Sequence, residues 1–186
     1  NITANAYLSE GFRIEDSENV SIINNFFNAT SYSSNPVNAQ STINLTIESN
    51  EFLTPGSGGL SISGTQYSHF DHNIANNNTI DGFSIWVNKS VQNHQLNNEL
   101  LNDFGQVICL NCENVSYYNT TFGIDGLGLF GGTNISLINS SFSTSTSGSI
   151  LDYTLANFNF LNSSINGAGP TNYGLVINSI NATIQN

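Results

Sequence analysis

The residues best suited to chemistry are His69-Phe70-Asp71-His72 and, further along, His94. Imidazole and carboxylate donors of this kind hold zinc or a related divalent metal. They make a site only if successive turns of the chain bring His72 and His94 together. The alternative is two His filling positions that are otherwise apolar. Cys109 and Cys112 bracket Leu110-Asn111. Extended residues three apart are too distant for a disulfide. Either a bend at Asn111 closes a local bridge, or Cys109 faces outward and joins two chains. A zinc site there would need two more ligands, and none is near in sequence. Glu10, Glu15, Asp16 and Glu18 form an acidic patch that would hold calcium weakly or serve as a solvated face. Twelve N-x-[ST] sequons point to a glycosylated, secreted chain. Eight of them recur at two fixed positions of a repeat, where backbone geometry alone accounts for Asn. Of the other four, Asn28 and Asn88 are the candidate glycan sites.

These side chains are carried by a repeated phrase. N-I-S-L-I-N-S-S-F at Asn134–Phe142 returns at Asn19–Phe27, Asn44–Phe52, Asn93–Leu101, Asn114–Phe122 and Asn157–Ile165. It returns with one inserted residue at Asp71–Ile80 and truncated at Asn181–Asn186. Starts 20–27 residues apart identify stacked structural repeats. Ahead of most copies stands G-Φ-x-Φ (Φ apolar), as in Gly11-Phe12-Arg13-Ile14 and Gly126-Leu127-Gly128-Leu129. Alternation over four residues between Gly, Asn and Ser predicts short strands, and helix signals are absent. The fourth and last positions of the phrase are apolar columns and belong in a core. The first and sixth are Asn columns. Asn tolerates the left-handed backbone of a tight corner and can bond from coil to coil. The sixth column (Asn24, Asn76, Asn98, Asn119, Asn139 and Asn162) is therefore expected to form a structural Asn ladder.

The fold class that follows is all-β: a parallel β-helix of about eight coils, right-handed by the rule for parallel crossovers. It is expected to form one domain over residues 1–186, with 1–10 off the repeat and both ends uncapped. Asn28–Asn38, Thr54–Gly58, Ser143–Ser147 and Ala168–Asn172 should bulge as loops.

Composition narrows the partners. Two basic residues, Arg13 and Lys89, stand against 13 acidic ones for a net charge of −11, which disfavours nucleic acid and anionic lipid. Twelve Phe and 7 Tyr argue against disorder. No run of 18 apolar residues offers a membrane span. Without Met or a signal-like segment, a chain starting at Asn1 is expected to be a processed product or an excised fragment.

The N-x-[ST]-Φ-x-N-x-x-F phrase preceded by G-Φ-x-Φ resembles the parallel β-helix repeat of archaeal and bacterial surface proteins, a group that includes carbohydrate-binding and sugar-hydrolysing members. The Asn, Ser and Thr content and the acidity resemble archaeal surface-layer and sheath subunits. The resemblance implies catalytic Asp, Lys or Arg on one outer face of neighbouring coils. Nothing here matches that pattern. Arg13 and Lys89 lie about three coils apart, and Glu48, Glu51, Asp71 and Glu99 fall at four different phrase positions. The expectation is therefore a non-enzymatic, extracellular structural protein with no cofactor. It would polymerise through its open ends and corner loops, with glycans as further partners. The alternatives are a carbohydrate-binding or carbohydrate-cleaving β-helix with Tyr67, Trp86, Tyr117 and Tyr118 as sugar platforms, and a passive stalk.

Overall fold

Short alternating segments cannot bury an apolar face alone, so they stack on their own successors. A computed structural model describes residues 2–4, 11–29, 35–54, 59–123, 126–144, 150–153, 156–167 and 175–186. Of the expected loops, residues 30–34, 55–58, 145–147 and 168–172 lie outside the described residues.

Strand β1 (Ile2–Ala4) precedes the first coil, which is β2 (Phe12–Glu15), β3 (Ser21–Ile23) and β4 (Phe26–Ala29). The second is β5 (Val37–Gln40), β6 (Thr46–Glu48) and β7 (Glu51–Leu53). The third is β8 (Ser61–Ser63), a 3-10 turn (Tyr67–Phe70), β9 (Asn73–Ile74) and β10 (Thr79–Ile80). The fourth is β11 (Phe83–Lys89), β12 (Gln92–Asn97) and β13 (Leu100–Leu101). The fifth is β14 (Gln106–Leu110), β15 (Glu113–Tyr118) and β16 (Thr121–Phe122). The sixth is β17 (Leu127–Phe130), β18 (Thr133–Ile138) and β19 (Ser141–Thr144). The seventh is β20 (Ile150–Tyr153), β21 (Ala156–Leu161) and β22 (Ser164–Gly167). Strands β23 (Leu175–Ile177) and β24 (Ala182–Gln185) begin an eighth.

Like strands pair in parallel and in repeat register. Leu96, Tyr117, Leu137, Phe160 and Ile184 form one unbroken column across β12, β15, β18, β21 and β24. Below it the phrase-ending aromatics stack: the Phe122 and Phe142 rings lie 4.5 Å apart and 4° from parallel. A pair of this kind adds about 0.5–1.5 kcal/mol beyond its buried area. The chain is thus a β-solenoid.

The solenoid has about six turns rather than eight. Two of the eight phrases do not close a coil among the described residues: the eighth reaches Asn186 within its second strand's corner, and the third ends in a hairpin. At Asp81-Gly82 the chain reverses, and β11 pairs antiparallel with β10, Ile80 opposite Phe83. Left-handed φ values of 50° at Asp81 and 85° at Gly82 make the tight turn that Asp-Gly favours. The Asp81 carboxylate accepts the Thr54 N–H at 2.6 Å and ties the turn to the coil before it. Burial raises the Asp81 pKa, and that bond opposes the shift. A Cβ on Gly82 would meet nothing within 4 Å, so Gly82→Ala is expected to cost about 1–2 kcal/mol through backbone conformation alone. Gly82→Asn should cost less than half of that, measured by chemical denaturation.

The reversal divides the molecule into two stacks that share one nine-stranded sheet, β1-β4-β7-β10-β11-β14-β17-β20-β23. Because the strands change direction, the interior changes sides. Ile85, Ile108, Leu110 and Phe130 join the first-stack core around Phe27, Phe52, Ile62 and Phe70. Val107, Cys109, Leu127 and Leu129 face the second-stack core around Tyr117, Phe122 and Phe142. All five residues of β14 and all four of β17 are buried as a result. The ends created at the reversal are covered. Phe70 of the 3-10 turn is fully buried in the first core, and Trp86 stacks on Phe104 against the second.

Candidate functional site

Corners concentrate the polar residues, and each repeat has three. Positive φ occurs at the first phrase position (Asn19, Asn44, Asn93, Asn114, Asn134, Asn157 and Asn181). It occurs at the sixth (Asn24, Ser49, Asn98, Asn119, Asn139 and Asn162) and again after the G-Φ-x-Φ strands (Asp16, Ser41, Ser90, Asn111 and Gly131). The third corner carries no constant residue, so its column is invisible in the sequence.

The sixth-column residues Asn24, Asn76, Asn98, Asn119, Asn139 and Asn162 are exposed. Among the described residues one side-chain rung joins them, Asn119 Nδ2 donating to Asn98 Oδ1 at 3.1 Å. Asn76 instead accepts the Val87 N–H at 2.9 Å, across the reversal. The buried polar ladder lies one residue later, or two after Asn76 in the third phrase with its inserted residue. Asn50 Oδ1 accepts the Asn25 N–H, and Asn78 Oδ1 accepts the Asn50 N–H, at 2.9 and 3.0 Å. Asn50 Nδ2 donates to the carbonyls of Ile22 and Glu48. In the second stack the hydroxyls of Ser140 and Ser163 accept the N–H groups of Thr120 and Ser140. Left-handed corner residues leave these backbone groups unpaired inside the bend, and a short side chain from the next coil satisfies them.

The exposed side-chain ladder runs through the first column. Asn44 donates to Asn19 at 2.7 Å in the first stack. In the second, Asn114 donates to Asn93, Asn134 to Asn114, Asn157 to Asn134 and Asn181 to Asn157, at 2.6–3.3 Å. Every rung has the same sense: the amide of the later coil donates to the carbonyl of the earlier one.

The histidines do not meet. The reversal breaks their column, leaving His72 fully buried in the first stack and His94 exposed on β12. His72 Nδ1 accepts the Leu45 N–H at 3.2 Å, and burial lowers its pKa to about 4. Asp71 is paired with Lys89 at 2.8 Å. No group of three metal-binding side chains occurs among the described residues. Arg13 is paired with Glu15 at 2.6 Å, while Asp16 sits at a left-handed corner.

Cys109 and Cys112 form a disulfide, with Cα atoms 5.8 Å apart. Left-handed Asn111, φ 49°, supplies the bend that extended residues lack. Both Cys are buried, so the outward-facing Cys109 that would join two chains is replaced by a side chain in the second core. Of the two alternatives the local bridge through a bend at Asn111 is the one formed; the outward-facing Cys109 would need a strand with one buried face, and β14 has two.

The expected glycan sites are not loop residues. Asn28 lies in β4 and Asn88 in β11, and both are half-buried. Asn88 lies on the core side of its strand near Tyr117, whose phenol is pushed up by burial and partly brought back by Asn88. Of the expected sugar platforms, Tyr117 is fully buried, Trp86 is engaged with Phe104, Tyr118 is half-buried and Tyr67 is 55% exposed. An open groove of about 400 Å³ follows the outer corner of the first stack past Asn24, Phe26, Ser49, Glu51, Asn77 and Thr79. Glu51 is the only carboxylate in its lining among the described residues, whereas hydrolysis by paired carboxylates needs two.

The remaining feature is an edge. Among the described residues β23 and β24 are the last strands of their sheets, with Ile180 68% and Ile184 60% exposed. Residues 175–186 carry no charged side chain. Among the described residues no helix is long and apolar enough to cross a membrane. Compared with known family models, curated proteins and solved structures, the chain matches none.

Proposed function

We propose that this protein is an extracellular structural component that assembles with copies of itself into a cell-surface layer, sheath or filament. The observation that carries the reading is the stack itself: coils in repeat register, tied from coil to coil by the first-column Asn ladder and closed by a buried disulfide, make a rigid unit suited to a structural role. Burying exposed apolar side chains such as Ile23, Phe83 and Leu100 between copies contributes about 25 cal/mol per Å². Few ion pairs are available from two basic residues, so assembly draws little on charge. The buried disulfide suits an oxidising, extracellular setting.

Electron microscopy and sedimentation of the concentrated protein test this. Ordered polymers are expected, with little change between low and molar salt. Ile177→Lys combined with Ile184→Lys is expected to abolish them by placing charge on the edge. A protein that stays monomeric at every concentration overturns the reading. Polymers unaffected by the double substitution show that the edge is not used.

The groove beside Phe26 and Glu51, with exposed Tyr67, favours a second reading, a glycan-binding β-solenoid. Retention on immobilised neutral and acidic glycans, lost on Phe26→Ala, is its expected signature.

A further inference from the structure

The twelve N-x-[ST] sequons differ in what the fold does with their amides. In the first column Nδ2 of Asn44, Asn114, Asn134 and Asn181 each donates to the preceding coil, and Asn19 accepts the rung from Asn44. A sugar on a ladder Asn would crowd a neighbouring coil about 4.8 Å away. Asn77 uses both ends of its amide, accepting the Ser49 N–H and donating to Ser49 Oγ. Asn119 donates to Asn98, and Asn28 and Asn88 are half-buried within strands. Asn1 lies outside the described residues. Asn139 and Asn162 stand apart from all of these. Both are exposed at left-handed corners, φ 50° and 47°, and among the described residues neither side chain makes a hydrogen bond.

The corner explains the Asn but not the hydroxyl two residues on. That eighth place in the phrase alternates with the buried column and so points outward from the third strand. The fold accepts many side chains there: Phe26, Glu51 and Thr79 lie in register in the first stack, and Leu100 opens the column in the second. The next three coils carry Thr121, Ser141 and Ser164 in register. Thr121 and Ser141 share a hydrogen bond of 3.2 Å, and Ser164 is exposed. Three successive coils thus complete a sequon at one corner, where Phe26, Glu51 and Leu100 do not. In the first of them Asn119 is tied to Asn98, and in the other two the amide is open.

We propose that Asn139 and Asn162 carry N-linked glycans and that the ladder Asn residues stay bare. The assignment rests on the extracellular reading above and adds a modification to it. The co-reactant is a sugar activated at its anomeric carbon as a phosphate ester, and a transferase that reads the hydroxyl at the third sequon position is the catalyst. Nδ2 forms a bond to the anomeric carbon, and the bond from that carbon to the phosphate oxygen breaks. The phosphate leaves with the bonding electrons, and one Nδ2 proton passes to a base. The second Nδ2 proton remains, so the linkage is a secondary amide. Sugars on two neighbouring coils form one hydrated strip along this corner of the second stack, and copies of the protein meet through its other faces.

Mass spectrometry of proteolytic peptides from protein isolated from its native source tests the assignment. Glycopeptides containing Asn139 and Asn162 are expected, with Asn44, Asn114, Asn134 and Asn181 unmodified. Asn139→Gln combined with Asn162→Gln, expressed in the same source, should bring the intact mass down to that of the sequence. Gln is strained at positive φ, so Ser141→Ala combined with Ser164→Ala is the second variant. It should remove the sugar equally while leaving both corner Asn in place. Sugar retained on Asn139 and Asn162 in that variant, or found on the ladder Asn residues instead, overturns the assignment. Unmodified peptides at both sites overturn it too, and polymers seen by microscopy in the same preparation leave self-assembly standing. A native protein that is both sugar-free and monomeric removes the two readings together.

Discussion

Replacing Asn50 by Leu is expected to lower the unfolding free energy by about 3–5 kcal/mol, read from urea denaturation. The side chain is 2% exposed and satisfies three backbone groups, the Asn25 N–H and the carbonyls of Ile22 and Glu48. Leu fits the volume but leaves the Asn25 N–H without a partner and removes a bond from each carbonyl in a site that excludes water, the Glu48 carbonyl still accepting the Asn24 N–H. Each such loss costs about 1–3 kcal/mol. The Asn50 amide also donates to Asn78, so the damage spreads to the following coil. Asn139→Gly is the informative comparison. Asn139 is exposed at φ 50°, a conformation that Gly adopts freely, so the change should stay within about 0.5 kcal/mol. Equal losses at the two sites would place the stabilising ladder in the wrong column.

Acid is expected to weaken the fold from pH about 6.5 downward, with a contribution of about 3 kcal/mol from His72 alone. Burial lowers its pKa from 6.5 to about 4; a hydrogen bond with the His69 backbone and the Asp71 charge favour the charged form, while the charges of Lys89 and His69 oppose it. Between these values the unfolded chain binds a proton that the folded chain refuses. The contribution is therefore complete above pH about 6.5 and is lost progressively as pH falls toward 4. The neutral ring is also the acceptor for the Leu45 N–H, which protonation at Nδ1 would abolish. His72→Leu restores the apolar character of its column. It should start less stable at pH 7 and show a flatter pH dependence between 6.5 and 4. A variant with the parent's slope in that window would assign the acid sensitivity to the carboxylates instead.

The repeat phrase made strands, coils and apolar columns legible because each column holds one residue type through many copies. Its two Asn positions identified left-handed corners for the same reason. What the phrase concealed is local. Asp81-Gly82 between strand-like segments is a hairpin signal in its own right. Yet the following Phe83-Ser84-Ile85 also fits G-Φ-x-Φ, and the repeat reading absorbed the turn. The consequences came together: the histidine column broke, Cys109 became buried, and Asn88 fell within a strand. The buried ladder was hidden differently. Its position accepts Asn, Ser or Thr, since any short acceptor satisfies the same N–H, so it looked like variation rather than a column.

The sheet shared between the two cores has a consequence for how this molecule can change length. In a simple solenoid each unit touches only its neighbours, so units can be duplicated or deleted almost anywhere. Here coils next to the outer ends remain interchangeable in that sense. Strand β14, and β17 beside it, have no solvent face on which a substitution can be absorbed. An inserted unit between β10 and β14 would move Ile108 and Leu110 off the first core while leaving the second intact. Growth by repeat duplication is therefore confined to the two flanks, and the centre keeps a fixed count.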